Sequence, residues 1–203
     1  VTAAKVVLLR HGITDWNHSG RFQGQADIPL NDQGRAQAAA AAQALSTIGI
    51  TTIVSSDLTR AVTTAQELAQ ACGLPLTTDP RLQEINVGSW VGLDNAEVAE
   101  REPDFWTALA QGRDFRRSPT GETGAETAQR VSAAIQEWAQ ACADGETLAV
   151  VGHGLALRVS MLKLMGLDYS YARLFAGFGN CHWAVVKPGA EYWRLISFNQ
   201  AAH

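Results

Sequence analysis

The chain has 203 residues, 46% hydrophobic and 18% charged, which is enough to bury one substantial core and too apolar to stay disordered. Sixteen Lys and Arg against twenty Asp and Glu give a net charge of −4, so no global basic field draws nucleic acid or an anionic membrane, and any anion site must be local. Cys72, Cys142 and Cys181 form no CxxC pair and leave an odd thiol under any pairing, which reads as reduced, buried cysteines in a cytoplasmic protein; no apolar run approaches the roughly 18 residues of a membrane span, and the apolar part of "VTAAKVVLLRHG" is too short and too soon charged for a signal peptide.

Three apolar runs rich in β-branched residues, Lys5 to Leu9, Thr51 to Ser55 and Thr147 to Val151, have the pattern of parallel strands covered on both faces. Each leads into a helical pattern. The first is followed by the alanine-rich "NDQGRAQAAAAAQALSTIG", the second by "SSDLTRAVTTAQELAQACG" with Ser56 or Asp57 as N-cap and Gly73 as the stop, the third by "HGLALRVSMLKLMG". Alternation of this kind predicts an α/β fold, a three-layer α/β/α sandwich around a mostly parallel sheet. Between Asp94 and Pro119 the order gives way to two short polar helical pieces and the loop "GRDFRRSPTGE", a small lid insertion at about 94–124 within one domain spanning 1–203. A helix follows from about Ala125 to Ala141, with Val131, Ile135 and Trp138 on one face. The tail "CHWAVVKPGAEYWRLISFN" alternates like two strands joined at Pro188-Gly189, antiparallel additions at the sheet edge.

Open α/β sheets bind ligands beyond the carboxyl ends of their strands, where helix N-termini also point. "VVLLRHG" and "LAVVGHG" each bring a histidine followed by glycine to such an end, His11 and His153, and "IVSSDLTR" brings Arg60 into the first turn of the next helix. Two imidazoles with the guanidiniums of Arg10 and Arg60 suit a phosphoryl group, because Arg meets its oxygens bidentately while neutral imidazole can attack phosphorus. Taken singly, each residue also fits a structural role: a hydrogen-bonded histidine at a strand end, an arginine on a helix surface. A metal site would need an HxH, HExxH or Cys/His cluster, and none accompanies these histidines. "VVGHGLAL" lacks the third glycine of GxGxxG and carries His where GxSxG requires Ser. His18, His182 and His203 read as surface or structural residues.

"LLRHGITDWN", "SDLTRAVTTA", "LQEINVGSWVGL", "TGETGAET" and "VVGHGLALR" follow one another as the motifs of the histidine phosphatase superfamily do, over nearly the whole chain, and the sequence resembles the phosphoglycerate mutase-like phosphatases of that superfamily. The resemblance implies a phosphoglycerate mutase-like fold, no cofactor and no metal. It makes His11 the nucleophile and Glu84 the general acid, with Arg10, Arg60, Asn17 and His153 on the phosphoryl group. It sets Gln23, Gly24 and Thr123 near the pocket, and the lid residues Phe105, Trp106, Arg113, Phe115, Arg116 and Arg117 are available to read the rest of the substrate, with Arg113 and Arg116 as binding candidates. Glu84 in that role is expected to lie among apolar neighbours such as Val87 and Trp90. Ile13 departs from the pattern, standing where the family has Glu or Gln.

That superfamily holds phosphatases and mutases. His153 stands only 69 positions after Glu84, less than the resemblance leads one to expect of the bisphosphoglycerate-dependent mutases, and a smaller cap favours water as acceptor. The expected function is therefore a phosphatase acting on a small phosphorylated metabolite. "GFGNCHW" and "YWRLISFN" are similar to actinobacterial glucosyl-3-phosphoglycerate phosphatases, which makes that ester or a related phosphosugar the leading substrate. Phosphoglycerate mutase is the first alternative, and a non-catalytic phospho-ligand binding protein the second. No nucleic acid or membrane partner is expected, and a homodimer is allowed.

Overall fold

The computed structural model describes residues 2–202; His203 lies outside the described residues. In chain order the elements are β1 (Lys5–Arg10), α1 (Asp15–His18), α2 (Asp32–Leu45), β2 (Thr52–Ser55), α3 (Thr59–Cys72), β3 (Leu76–Thr78), α4 (Asn95–Arg101), α5 (Phe105–Ala110), α6 (Gly124–Ala141), β4 (Thr147–Gly152), α7 (Gly154–Leu164), β5 (Trp183–Lys187) and β6 (Arg194–Gln200). The six strands form one sheet in the order β3-β2-β4-β1-β5-β6. β1 pairs with β4, β4 with β2 and β2 with β3 in parallel, while β5 and β6 add on antiparallel, so the sheet is mostly parallel, as expected. β3 was not legible in the sequence, being a three-residue strand with two exposed threonines.

Alternation along β1 and β4 sends side chains to both faces. Val6, Leu8, Leu148 and Val150 meet Val131 and Ile135 of α6 and Leu157 and Met161 of α7. Val7, Leu9, Ala149 and Val151 meet Ala38, Ala41 and Leu45 of α2 and Ala61, Ala65 and Leu68 of α3. The alanine-rich face of α2 lets it lie close: a Cβ on Gly12 would stand 2.3 Å from the Gly34 carbonyl oxygen, so only glycine admits the approach of α2 to the turn after β1. A third, smaller cluster of Ile85, Val87, Trp90, Val98 and Phe105 lies apart from these two and includes Phe22, Leu109 and Phe115 at its border.

The N-cap of α3 is neither Ser56 nor Asp57 but Leu58, which has no side chain able to cap. The capping group comes from another loop: Thr59 N–H and Thr59 Oγ1 donate to the carboxylate of Asp27, each at 2.7 Å. Ser56 is diverted to a histidine, as described below. Gly73 does end α3, at φ +66°. Trp138 is half-buried against the α6–α7 side of the core and donates its indole N–H to Asp79 at 2.9 Å.

Candidate active site

β1 and β4 lie side by side with Arg10 opposite Gly152, and the chain then leaves β1 for α2 on one face and β4 for α7 on the other. The crevice between these departures is where a ligand meets strand ends and helix N-termini together. His11 and His153, the next residue of each strand, stand there with ring centroids 5.2 Å apart, and both are buried.

Hydrogen bonds assign the tautomers. His11 Nδ1 lies 2.7 Å from the Gly12 carbonyl, which can only accept, so the proton is on Nδ1 and Nε2 keeps its lone pair. Ser56 Oγ accepts from Leu58 N–H and lies 2.8 Å from His153 Nε2. With the Ser56 hydroxyl donating to Nε2, the hydrogen of that ring is on Nδ1, which has no partner. Burial, with the Arg10 and Arg60 charges adding to it, holds His11 well below the ordinary histidine range; burial and Arg60 do the same for His153. Both rings are neutral at pH 7.

Arg60 is almost fully buried, and its terminal nitrogens donate to the carbonyls of Ala26 and Gly24 at 2.7 Å each. Gly24 sits at φ +50°, and a Cβ there would come 2.6 Å from Val87 Cγ2, so this carbonyl faces Arg60 only because the residue is glycine. Burial lowers the Arg60 guanidinium to about 10, with Glu84 and Asp27 opposing, and it remains a cation at neutral pH. Arg10 donates to the Phe178 carbonyl. One nitrogen in each of Arg10 (Nε), Arg60 (Nε) and His153 (Nδ1) is buried with no hydrogen-bond partner. Leaving such groups unpaired is costly, and three of them flank a ring nitrogen with a free lone pair. A phosphoryl group, rich in acceptor oxygens, would satisfy them.

Glu84 enters from the loop after β3. Its Oε1 accepts from Ile85 N–H and Ala156 N–H at 2.9 Å each, and Oε2 from Leu155 N–H at 3.2 Å, which ties the carboxylate to the N-terminus of α7. Backbone donors, rather than the apolar side chains of Val87 and Trp90, surround it; those two belong to the third cluster. The Glu84 carbonyl is held in turn by Gln25 Nε2 at 3.1 Å and by Arg130, which also binds the carbonyls of Arg81 and Gln83 and pairs with Glu122 at 2.8 Å.

A cavity of about 630 Å³ opens from this crevice, lined by Arg10, His11, Asn17, Gln23, Gly24, Arg60 and Glu84 at one end and by residues including Phe105, Trp106, Arg117 and Tyr169 at the other. Asn17 Oδ1 accepts from Thr14 N–H and Asn180 Nδ2, each at 3.2 Å, and Gln23 Oε1 from the Thr14 hydroxyl at 3.0 Å. Three residues named from the sequence as substrate contacts stand elsewhere. Thr123 is the N-cap of α6, its hydroxyl accepting from Glu126 N–H. Arg113 is exposed and donates to Gln111 at 2.9 Å. Arg116 turns to the Gly121 carbonyl and pairs with Glu126, both at 2.6 Å. None of the three lines the cavity, and neither does Ile13. His18 is exposed, and His182 bonds Asn199. Cys142 and Cys181 are buried, Cys72 only half so, and all three are free thiols.

Ser56, Asn180 and Arg158 were missed in the sequence. Ser56 had a signal, since it follows β2 into the same crevice. Asn180, whose Nδ2 donates to the His11 carbonyl at 3.1 Å, is 169 residues from it, and its stretch "GFGNCHW" gave no sign of that contact. Among the described residues no group of three or more His, Cys, Asp or Glu is placed to hold a metal ion, and no helix is long and apolar enough to cross a membrane.

The model of the histidine phosphatase superfamily, branch 1, matches residues 6–201. A protein of Yersinia pestis (strain Pestoides F) named probable phosphoglycerate mutase GpmB is 39% identical over 204 residues, covering 98% of this chain and 94% of its own. The structure of mycobacterial glucosyl-3-phosphoglycerate phosphatase Rv2419c complexed with VO3 superposes with a TM-score of 0.90 at 33% identity, over 98% of this chain and 100% of the other. Phosphoserine phosphatase from Entamoeba histolytica, in complex with 3-phosphoglyceric acid, gives 0.86 at 27% identity, over 97% of both chains.

Proposed function

The chain belongs to the histidine phosphatase superfamily, branch 1, and from that premise we propose that it is a metal-independent phosphatase acting on a small phosphomonoester through a phosphohistidine at His11. The observation that carries this reading is the set of unpartnered buried nitrogens of Arg10, Arg60 and His153 around an imidazole held neutral, with Nε2 bare. His11 Nε2 attacks phosphorus; the P–O ester bond breaks, and its electron pair leaves on the alcohol oxygen, which takes a proton from Glu84. Oε2 of Glu84, with one contact at 3.2 Å, is the oxygen with room for that proton. Water then attacks phosphorus, Glu84 recovers the proton, and the P–N bond breaks to free phosphate. Arg10, Arg60, His153 Nδ1 and the side-chain Nδ2 of Asn17 hold the equatorial oxygens as charge develops, and the two guanidiniums supply the positive charge a divalent cation would otherwise bring. The segment 94–124 serves as a lid within a single domain, and the free thiols fit a cytoplasmic enzyme.

A cavity of about 630 Å³ exceeds what a three-carbon acid fills and leaves room for a sugar, which supports glucosyl-3-phosphoglycerate or a related phosphosugar as substrate. Phosphoglycerate mutase is the second reading, favoured by the name of the Yersinia relative. Phosphate release measured beside isomerisation of 3-phosphoglycerate separates the two. Steady release without bisphosphoglycerate, and an acid-labile, base-stable label absent from His11→Ala, are expected. Isomerisation tenfold faster than release, a barrier difference of about 1.4 kcal/mol, would make the enzyme a mutase.

A further inference from the structure

Five arginines other than Arg158 line the cavity, and four of them are accounted for by neighbours. Arg10 and Arg60 bind carbonyls in the phosphate crevice. Arg21 donates to the Gly92 carbonyl at 2.6 Å and stands 4.0 Å from Glu97. Arg117 donates to Phe115 and, at 3.0 Å, to Tyr169 Oη, lies 5.2 Å above the Phe105 ring and pairs with Asp114 at 3.7 Å. The fifth, Arg173, is exposed at the rim.

Like Arg10 and Arg60, Arg158 keeps a buried donor without a partner, but it stands beside Arg117 and Tyr169 rather than beside His11. It is half-buried on α7, three residues after Leu155, so both side chains face the cavity they line. Its Nε is buried without a partner, its one hydrogen bond is a long 3.4 Å contact from Nη1 to the Phe175 carbonyl, and no carboxylate pairs with it among the described residues. Burial lowers its pKa; Tyr169 and Glu84 oppose that, and Arg117, the smallest contribution, adds to it. Tyr169 Oη already accepts from Arg117 and so keeps its own hydrogen to donate. A guanidinium with an orphaned buried donor beside a free phenolic O–H is a receptor for an anion.

We propose that Arg158 and Tyr169 form a second anion subsite, separate from the phosphate crevice, that binds a carboxylate carried by the leaving group. The subsite deepens the phosphatase reading and rests on it for its kinetic test: the substrate is a phosphorylated hydroxy acid or its glycoside, not a neutral phosphosugar. Arg158 sets specificity and takes no part in the bond changes, so its loss acts on KM rather than kcat.

The test compares 3-phosphoglycerate with glycerol 3-phosphate, in which the carboxylate is replaced by a hydroxymethyl group. The wild type should favour the acid at least about tenfold in kcat/KM. Arg158→Gln should raise KM for the acid about tenfold to a hundredfold, leave its kcat nearly unchanged and move glycerol 3-phosphate less than about threefold. Arg158→Lys, which keeps the charge, should fall between, and Tyr169→Phe should cost a few-fold on the acid alone. No preference in the wild type, or equal losses on both esters in Arg158→Gln, overturns the subsite. Calorimetric binding of both esters to His11→Ala gives an answer without turnover: stronger binding of the acid, lost in the double variant with Arg158→Gln, upholds the subsite even if the chain proves to be no phosphatase, and equal binding ends it.

Discussion

The two ends of the cavity are built in different ways. At the phosphate end, His11 and His153 follow directly from adjacent parallel strands, and each ring is fixed by a hydrogen bond to backbone or to a serine itself held by backbone. At the far end, Phe105, Trp106 and Leu109 project from the six-residue helix α5, and the Trp90, Phe105, Phe22 and Phe115 rings meet mainly edge-on in a cluster separate from the main core. One end is set by the backbone of the sheet, the other by side chains packing on one another. Geometry that must hold to a fraction of an ångström sits on the first, and selectivity that tolerates adjustment sits on the second.

Replacing Glu84 tests this division hardest, because Glu84 comes from a loop yet acts at the rigid end. Glu84→Gln should slow an alkyl phosphate such as 3-phosphoglycerate by about a hundredfold or more, and p-nitrophenyl phosphate far less, because that phenolate leaves without a proton. Equal losses on both would make Glu84 a mere clasp for the N-terminus of α7. Phe105→Ala probes the opposite end. It should raise KM for a bulky phosphosugar by about tenfold, the scale of a lost apolar contact, while turnover of p-nitrophenyl phosphate stays near wild type. A comparable loss of kcat on the small ester would mean that the two ends are not independent.

A third effect is on stability in acid, and it belongs to the phosphate end alone. His11 and His153 have folded pKa values held below their unfolded value of about 6.5, so below that pH the unfolded chain binds protons that the folded site refuses. Stability is therefore fully present above about pH 6.5 and falls as pH drops, with a slope approaching about 1.4 kcal/mol per pH unit for each ring. Denaturant midpoints at pH 7 and pH 5 measure this, and His11→Gln should flatten the slope by about half. An unchanged midpoint over that range would show that the rings are not buried neutral.

How far the sequence could be read follows the same division. The strands that carry His11 and His153 were legible because parallel strands buried on both faces announce themselves as unbroken apolar runs, and Arg60 followed from the helix after β2. Glu84 could be named from its motif but not its setting, since two of the three N–H groups on its carboxylate belong to residues some 70 positions away. Arg113 and Arg116 were candidates as polar residues of an irregular segment and Thr123 from the resemblance, and local partners such as Gln111 and Glu126 took up their side chains. Arg158 was passed over because one arginine on an apolar helix gives no sign of whether an ion pair awaits it.

The cap of α3 has a consequence for motion. The first turn of that helix is closed by Asp27, 32 residues earlier in the chain, and the same loop returns two carbonyls to Arg60. Helix end and loop clasp each other at two points, so neither can fray alone. Their amides should exchange as one unit that opens together, and any anion held by Arg60 in the closed state should suppress that opening in proportion to its own binding.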